Sequence, residues 1–578
     1  MLLLHSPCLP FRVARLPRFC VVQLLWFFVF LATMSSVTGE RDGNRPFSVI
    51  VVGSGLAGLT ATIEAEKAGA NVILLEKTAN TGGNSAKATS GMNATPTRAQ
   101  LMQHIEDSLH EFEEDVIASG GGFSDPQLVD VLVKSSAYAY NFLETFEGLN
   151  LSVVSQCGGH SKPRTHRLPP SPDGKPSPVG WTTVSTLKKF VTSLPAVTLR
   201  TNSRVTHLLK DSAGKVGGVG LESGEEVRAG AVVLATGGYS HDRSADSFLS
   251  KYAPSVVNLP TTNGNFAEGD GVRLGLGVGA GVVDMDKVQV HPTAFVDPKD
   301  PLSSVKFLAP EALRGSGGVL VDSFGERFCN ELGRRDEVSE KILSLPGGVA
   351  FLLLNDEAAD IFGRPNLGFY SFKGFFVEYP DAQSAASALG FPQGSLESTL
   401  RRYSESAERG EDSFGKKVFP VKAFDPNKKV MIAKITPAIH YTMGGLKINP
   451  FSQVQGENAE PILGLFAAGE VTGGVHGKNR LAGNSLLECV VFGRISGKAA
   501  ASFSSFLAGI QQADFDFVGG EVAASPCPAP VESLLSVSEE EGTKGVKGMR
   551  AEKEALEALH GLSRGTTKEE HEHTTQAQ

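Results

Sequence analysis

Apolar, strand-like runs alternate with helix-length stretches from position 46 to about 284, and this alternation is the strongest pattern in the chain. The first run, 48–52, is apolar and β-branched and flows directly into Gly53-Ser54-Gly55-Leu56-Ala57-Gly58. A second apolar run, 71–75, follows one helix length later and ends at Glu76. Short apolar runs bounded by Gly and separated by helical stretches predict buried parallel strands in βαβ units. A later run, 231–235, ends in Thr236-Gly237-Gly238 and brings another turn to the same sheet edge. Between about 285 and 437 the pattern loosens into shorter segments broken by Pro, Gly and charged clusters, and from Tyr441 the Gly-rich strand-then-helix style returns.

The turn at 53–58 has a physical reading. Gly53 permits the tight turn, Gly55 lets a pyrophosphate approach the backbone, and Gly58 lets the next helix pack closely with its N-terminal amides facing phosphate. Glu76 stands twenty-one positions beyond Gly55, where a ribose-binding acid belongs. The expectation is an α/β fold: a Rossmann-like cofactor domain in two parts, 46–285 and 441–510, interrupted by an α+β capping domain at 286–440, with the active site between them.

Composition narrows the function. A chain of 578 residues exceeds what one core usually supports, so two domains plus extensions are expected. A net charge of −9 argues against general nucleic-acid binding. The six cysteines, Cys8, Cys20, Cys157, Cys329, Cys489 and Cys527, form no Cys-x-x-Cys, so no iron–sulfur, zinc-ribbon or c-type haem site is encoded, and no metal is expected. Positions 1–40 carry Arg12, Arg15 and Arg18, lack acidic residues before Glu40, and include an apolar stretch at 21–32 shorter than a membrane span. They read as a targeting segment: a secretory signal leading to the endoplasmic reticulum lumen first, a mitochondrial presequence as the alternative, a retained anchor third. Beyond 511 the composition shifts toward Pro, Ser, Glu and Lys, predicting a disordered tail with transient helix at 550–562; His571 and His573 read as solvated rather than metal-binding.

Two further loops carry chemistry. Gly82, Gly83, Asn84, Ser85, Thr89, Ser90 and Gly91 form a Gly/Ser-rich segment soon after the ribose acid, suited to cradling a cofactor. Gly469 and Glu470 lead through Arg480 to Asn484, Ser485 and Leu486, where Asn484 or Ser485 is a natural helix N-cap whose helix would direct its positive end at the cofactor ring.

These motifs resemble, over about 46–507, the FAD-dependent fumarate reductase family of soluble flavoproteins, related to the flavoprotein subunits of succinate dehydrogenase and fumarate reductase. The resemblance implies FAD, with Lys77, Val205, Gly237 and Asp270 joining the glycine loops as cofactor contacts. It implies a substrate set of His291 in His291-Pro292-Thr293, His440 in His440-Tyr441-Thr442-Met443-Gly444-Gly445, and Arg480. Its implied catalytic set is Arg335 as proton donor, with Glu311 and Arg314 relaying replacement protons. The implied reaction is hydride transfer from reduced flavin N5 to fumarate, giving succinate.

Physical reasoning agrees, because a dicarboxylate needs fixed cations and donors at both ends. Crowding of Arg314, Arg335 and Arg480 in one desolvated pocket would disfavour their charged forms. Several positions depart from the family pattern. Pro310 replaces a hydroxyl-bearing residue of some relatives, and the absence of histidine from 82–93 implies noncovalent flavin. No haem or flavin-transfer domain is encoded before the flavin fold, so the electron donor is unidentified; the mature body is expected to be soluble. His160, His166 and Arg167 either line the flavin site or order a Pro-rich loop. Competing readings are reduction of another activated alkene acid such as urocanate, a 3-ketosteroid enzyme, an aspartate-type oxidase, a plain NAD dehydrogenase, and a noncatalytic flavin-binding protein.

Overall fold

The computed structural model describes residues 47–169 and 177–519, with side chains through 509. The targeting segment, the tail beyond 519, its expected helix at 550–562, and His571 and His573 lie outside the described residues. The central sheet runs in the order Gln453–Gln455, Pro461–Ala467, Ala231–Leu234, Ser48–Val52, Asn71–Leu75, Val197–Arg200. The last five strands pair in parallel, with Val49 opposite both Val72 and Ala231. Only Gln453–Gln455 joins antiparallel. Near-continuous burial of Ser48–Val52 and Ala231–Leu234 explains their unbroken apolar sequences, since a parallel sheet is covered on both faces. Their carboxyl ends converge on Gly53, Glu76 and Ala235 to Gly237, the edge where open α/β sheets bind ligands.

Within 286–440, where the sequence pattern was loosest, lies a second sheet that is antiparallel: Phe307–Leu308, Val288–Phe295, Val430–Thr442, Ala350–Leu354, Val319–Val321, with Val377–Tyr379 also on Val430–Thr442. Two buried apolar clusters accompany the two sheets. One contains the parallel strands together with Met285 and Ile439; the other spans Phe295 to Ile435. Strands Val288–Phe295 and Val430–Thr442 therefore pass from one core to the other, and they carry His291 and His440 at the crossing. Their pairing shifts register between Gln289 and Val290 and again between His291 and Ala294. Such bulges re-aim side chains, which is why a simple alternation was not visible in this stretch.

The helix Asn484–Gly519, the last among the described residues, continues past position 510, where the composition placed the start of the tail. No helix among the described residues is long and apolar enough to cross a membrane. Cys157, Cys329 and Cys489 are buried and form no disulfide among the described residues.

Candidate active site

A cavity of about 590 Å³ opens at the carboxyl ends of the parallel strands. Its floor is the glycine turn. Gly53 has φ +102°, and a Cβ there would lie 2.4 Å from the Ala235 carbonyl oxygen. At Gly58 a Cβ would lie 1.8 Å from the Gly53 carbonyl oxygen, so the helix Leu56–Lys67 packs onto the turn only because no side chain intervenes. Gly55 differs: a Cβ would meet nothing nearer than Ser85 Oγ at 3.7 Å, which leaves an open face beside the helix N-terminus. Ser54 donates from N and Oγ to Glu76 Oε2 at 3.1 and 2.6 Å, and Thr78 donates from N and Oγ1 to Oε1 at 2.9 and 3.0 Å, fixing the carboxylate. Leu56 N donates to Ser85 Oγ at 3.2 Å, tying the second glycine loop to the first.

Most of the expected cofactor residues line this cavity: Gly53, Ser54, Gly55, Leu56, Ala57, Glu76, Lys77, Gly83, Asn84, Ser85, Thr89, Ser90, Gly91, Val205, Gly237, Asp270, Gly469, Glu470, Arg480, Ser485 and Leu486. Three do not. Gly58 lies behind the turn; a Cβ on Gly82 would meet Val184 Cγ1 at 2.8 Å; Asn484 Oδ1 accepts from Asn93 Nδ2 at 2.7 Å. These shape the walls from behind. Lys77 spends its charge on Asp270 and Glu268, at 2.5 and 2.9 Å. The open face at Gly55, the fixed Glu76 acceptor and two helix N-termini at one cavity fit a dinucleotide with its pyrophosphate at the turn.

At the other end, Arg335, His440 and Arg480 line the same cavity. Arg335 opens the helix Arg335–Leu343; its Nε donates to Glu311 Oε2 at 2.6 Å and its Nη1 to Gln289 Oε1 at 2.8 Å. Glu311 opens the short helix Glu311–Gly315, which Pro310 precedes. Its Oε1 accepts from Gly158 N at 2.7 Å, and Arg314 Nη2 stands 3.6 Å from its Oε2. Arg314 Nη1 donates to the Glu331 carbonyl at 2.5 Å. Arg335, Glu311 and Arg314 thus form one buried line running away from the cavity.

His291 sits behind His440, the ring centroids 5.1 Å apart. Its Nδ1 faces the Thr293 backbone, and its Nε2 is buried with no partner among the described residues. His440 Nδ1 lies 2.7 Å from Thr262 Oγ1, and Asn263 Nδ2 donates to the His440 carbonyl at 3.0 Å. Asn263 also accepts from Asn84 at 2.5 Å, so the cofactor loop and the histidine strand are joined through one side chain.

Burial first, then the charge of Arg335, holds both His291 and His440 far below the ordinary histidine range, so both are neutral at neutral pH. Burial, with Arg335 adding repulsion, lowers Arg480 to about 10. Arg314 is lowered mainly by burial. In Glu311 burial favours protonation, yet Arg335 and Arg314 outweigh it and keep the carboxyl below its usual range. Burial raises Glu470 to about 7 against hydrogen bonding from Thr442 N.

His160, His166 and Arg167 do not line the cavity. His160 Nε2 lies 3.0 Å from the Ala482 carbonyl, His166 Nε2 2.7 Å from Thr97 Oγ1, and Arg167 Nη2 donates to the Ile361 carbonyl at 3.4 Å. They order loops. Sequence reasoning missed Gln289, Thr262, Asn263, Tyr441, Trp181 and Phe266. Two had a near-neighbour signal: Gln289 is two positions before His291 on the same strand, and Tyr441 stands beside His440 inside the motif credited to it.

The FAD binding domain family matches residues 48–486. Fumarate reductase of Schizosaccharomyces pombe is 44% identical over 461 residues, covering 78% of this chain and 89% of that protein. Fumarate reductase 1 of Saccharomyces cerevisiae is 41% identical over 475 residues, covering 78% and 98%. The open conformation of a flavocytochrome c3 fumarate reductase superposes with a TM-score of 0.64 at 35% identity, covering 79% of this chain and 78% of that one. A dinucleotide cradle and a buried Arg–Glu–Arg line on one cavity, in a chain this similar to those proteins, make it a member of the FAD-dependent fumarate reductase family.

Proposed function

We propose that this protein reduces fumarate to succinate with noncovalently bound FAD. The observation that carries the reading is the position of Arg335: on the same cavity as the cofactor loops, His440 and Arg480, yet gripped from behind by Glu311 and Gln289. Absence of histidine from 82–93, with Asn84 engaged by Asn263 and Gly264, supports noncovalent binding. When bound and reduced, FAD would supply hydride to one alkene carbon.

The protein's side chains do the rest. Arg480 pairs with one carboxylate, and neutral His440, with neutral His291 packed behind it, holds the other without adding charge. A Thr262 hydroxyl donating to His440 Nδ1 leaves Nε2–H to donate to a substrate oxygen. Polarisation of the alkene by these groups readies one carbon for hydride. Arg335 passes a proton to the adjacent carbon, and Glu311 and Arg314 return one to it, so that one hydride and one proton convert fumarate to succinate. Residues 286–440, whose apolar side chains supply the second core, act as the cap over the substrate end.

The test is anaerobic oxidation of a chemically reduced viologen by the FAD-loaded protein, with fumarate, urocanate and no acceptor in parallel. Fast fumarate-dependent oxidation that disappears in Arg335→Ala at unchanged flavin content is the expected result. Full activity in that variant, or no turnover by flavin-replete wild type, overturns the proposal; turnover of urocanate alone would reassign the substrate.

A further inference from the structure

Arg335 and Arg314 share Glu311 as a counter-charge, but Arg480 has no ion-pair partner among the described residues. Its Nη1 donates to the Leu481 carbonyl at 3.0 Å, and its Nε is buried without a partner. A buried cation in this position is costly unless something nearby offsets it. An aromatic face lies against its guanidinium: the central carbon is 4.3 Å from the centroid of the Tyr441 ring.

The Tyr441 hydroxyl donates to Glu488 Oε1, and the other oxygen of Glu488 meets His476 Nε2. Glu488 is only 1% exposed. Burial and the charge of Glu488 keep the phenol protonated, and as a donor to a carboxylate its ring becomes electron-richer, which strengthens the attraction of the face for a cation held against it. Glu470, the other buried carboxylate nearby, is tied to Thr442 and pushed up to about 7, so it serves this purpose less well. The arrangement has a chemical advantage over a direct salt bridge. Charge reaches Arg480 through the ring, and none of its N–H groups is consumed by a protein carboxylate that a substrate would have to displace.

We propose that Tyr441 and Glu488 are positioning residues that together supply the counter-charge of Arg480, with His476 fixing Glu488, and that they set affinity for the substrate carboxylate. This rests on reading Arg480 as a carboxylate holder. The test uses the FAD-loaded wild type, Tyr441→Phe, Glu488→Gln and the double variant. Fumarate kinetics are measured with reduced viologen, and succinate binding by calorimetry. Each single variant is expected to weaken succinate binding by about three- to tenfold, the scale of a desolvated cation–π contact, with the loss of kcat/KM chiefly in KM. The double variant should be no worse than the weaker single, because both act through one chain. Unchanged succinate affinity in Tyr441→Phe, or losses that multiply in the double variant, overturns the inference. Succinate binding that weakens as expected in the variants, when the wild type itself does not turn over fumarate, would instead fault the proposed reaction and leave this inference standing.

Discussion

Arg335 Nε and Glu311 Oε2 meet at 2.6 Å, each side chain on the first turn of a different helix and both buried. The contact fixes the guanidinium at the cavity wall and, in the proposed mechanism, sets beside it the group that would return its proton. Glu311→Gln keeps the shape and one acceptor but removes the negative charge and with it the ability to take up and pass on a proton. Its expected effect is a fall in kcat of about 100-fold, the usual worth of a positioned acid–base group, with a much smaller change in the KM for fumarate. Equal losses in both parameters would mean that Glu311 only shapes the binding site.

Two glycines of one motif should fail differently. Gly58→Ala drives a Cβ against the Gly53 carbonyl, a backbone atom that cannot turn aside, so both thermal stability and flavin content should drop. Gly55→Ala has room in the protein, with φ −68° at that residue, and obstructs only the ligand's approach. The expected result is a normally folded Gly55→Ala protein purified with little FAD, read from the visible flavin absorbance per protein and the melting temperature without added flavin. A Gly55→Ala protein that retains full FAD would mean that the pyrophosphate lies elsewhere.

How much of this site was legible follows from how local each signal is. Gly53, Gly55 and Glu76 announce themselves within one βαβ unit, and the His and Arg motifs are short strings. Gln289, Thr262 and Asn263 act through partners far away in the chain: Asn84 and Asn263 are 179 positions apart, and Thr262 and His440 are 178 apart. Nothing in a Thr-Asn pair on a loop reports that contact. The second sheet was hidden for another reason: the register shifts that aim His291 inward also spoil the alternation by which strands are recognised. Gly82 and Asn484 show the converse: they stand in the strings read as cofactor loops, yet they do not line the cavity.

His166 predicts part of the acid sensitivity. Burial lowers it to about 4, against an ordinary value of 6.5, so the unfolded chain binds the proton more readily than the folded one. Stability from this group is therefore present above pH 6.5 and is lost as pH falls from 6.5 toward 4. His166→Gln, which can still reach Thr97, should flatten the fall in melting temperature over that window. An identical slope in the variant would show that other groups carry the acid response.

The buried pair Lys416 and Glu331 makes the sharpest stability prediction. Lys416 Nζ donates to Glu331 Oε2 at 2.7 Å with both side chains at 0% exposure, while Arg327 holds Glu331 Oε1 at 2.8 Å and Asp412 at 2.8 Å. In Glu331 burial opposes ionisation, but Lys416 and Arg327 prevail and bring it down to about 2. Lys416→Met leaves a buried carboxylate with one cation fewer and should cost about 3 kcal/mol, the low end for breaking a buried pair. Adding Glu331→Gln removes the stranded charge and should recover part of the loss, although Arg327 then keeps only Asp412 as its ion-pair partner. Urea unfolding of the flavin-loaded proteins measures both steps. The Glu331 backbone carbonyl accepts from Arg314, so Lys416→Met should also slow fumarate turnover if the segment around Glu331 shifts; a destabilised variant with wild-type kcat would show that the pair stabilises the second core without steering the proposed proton relay.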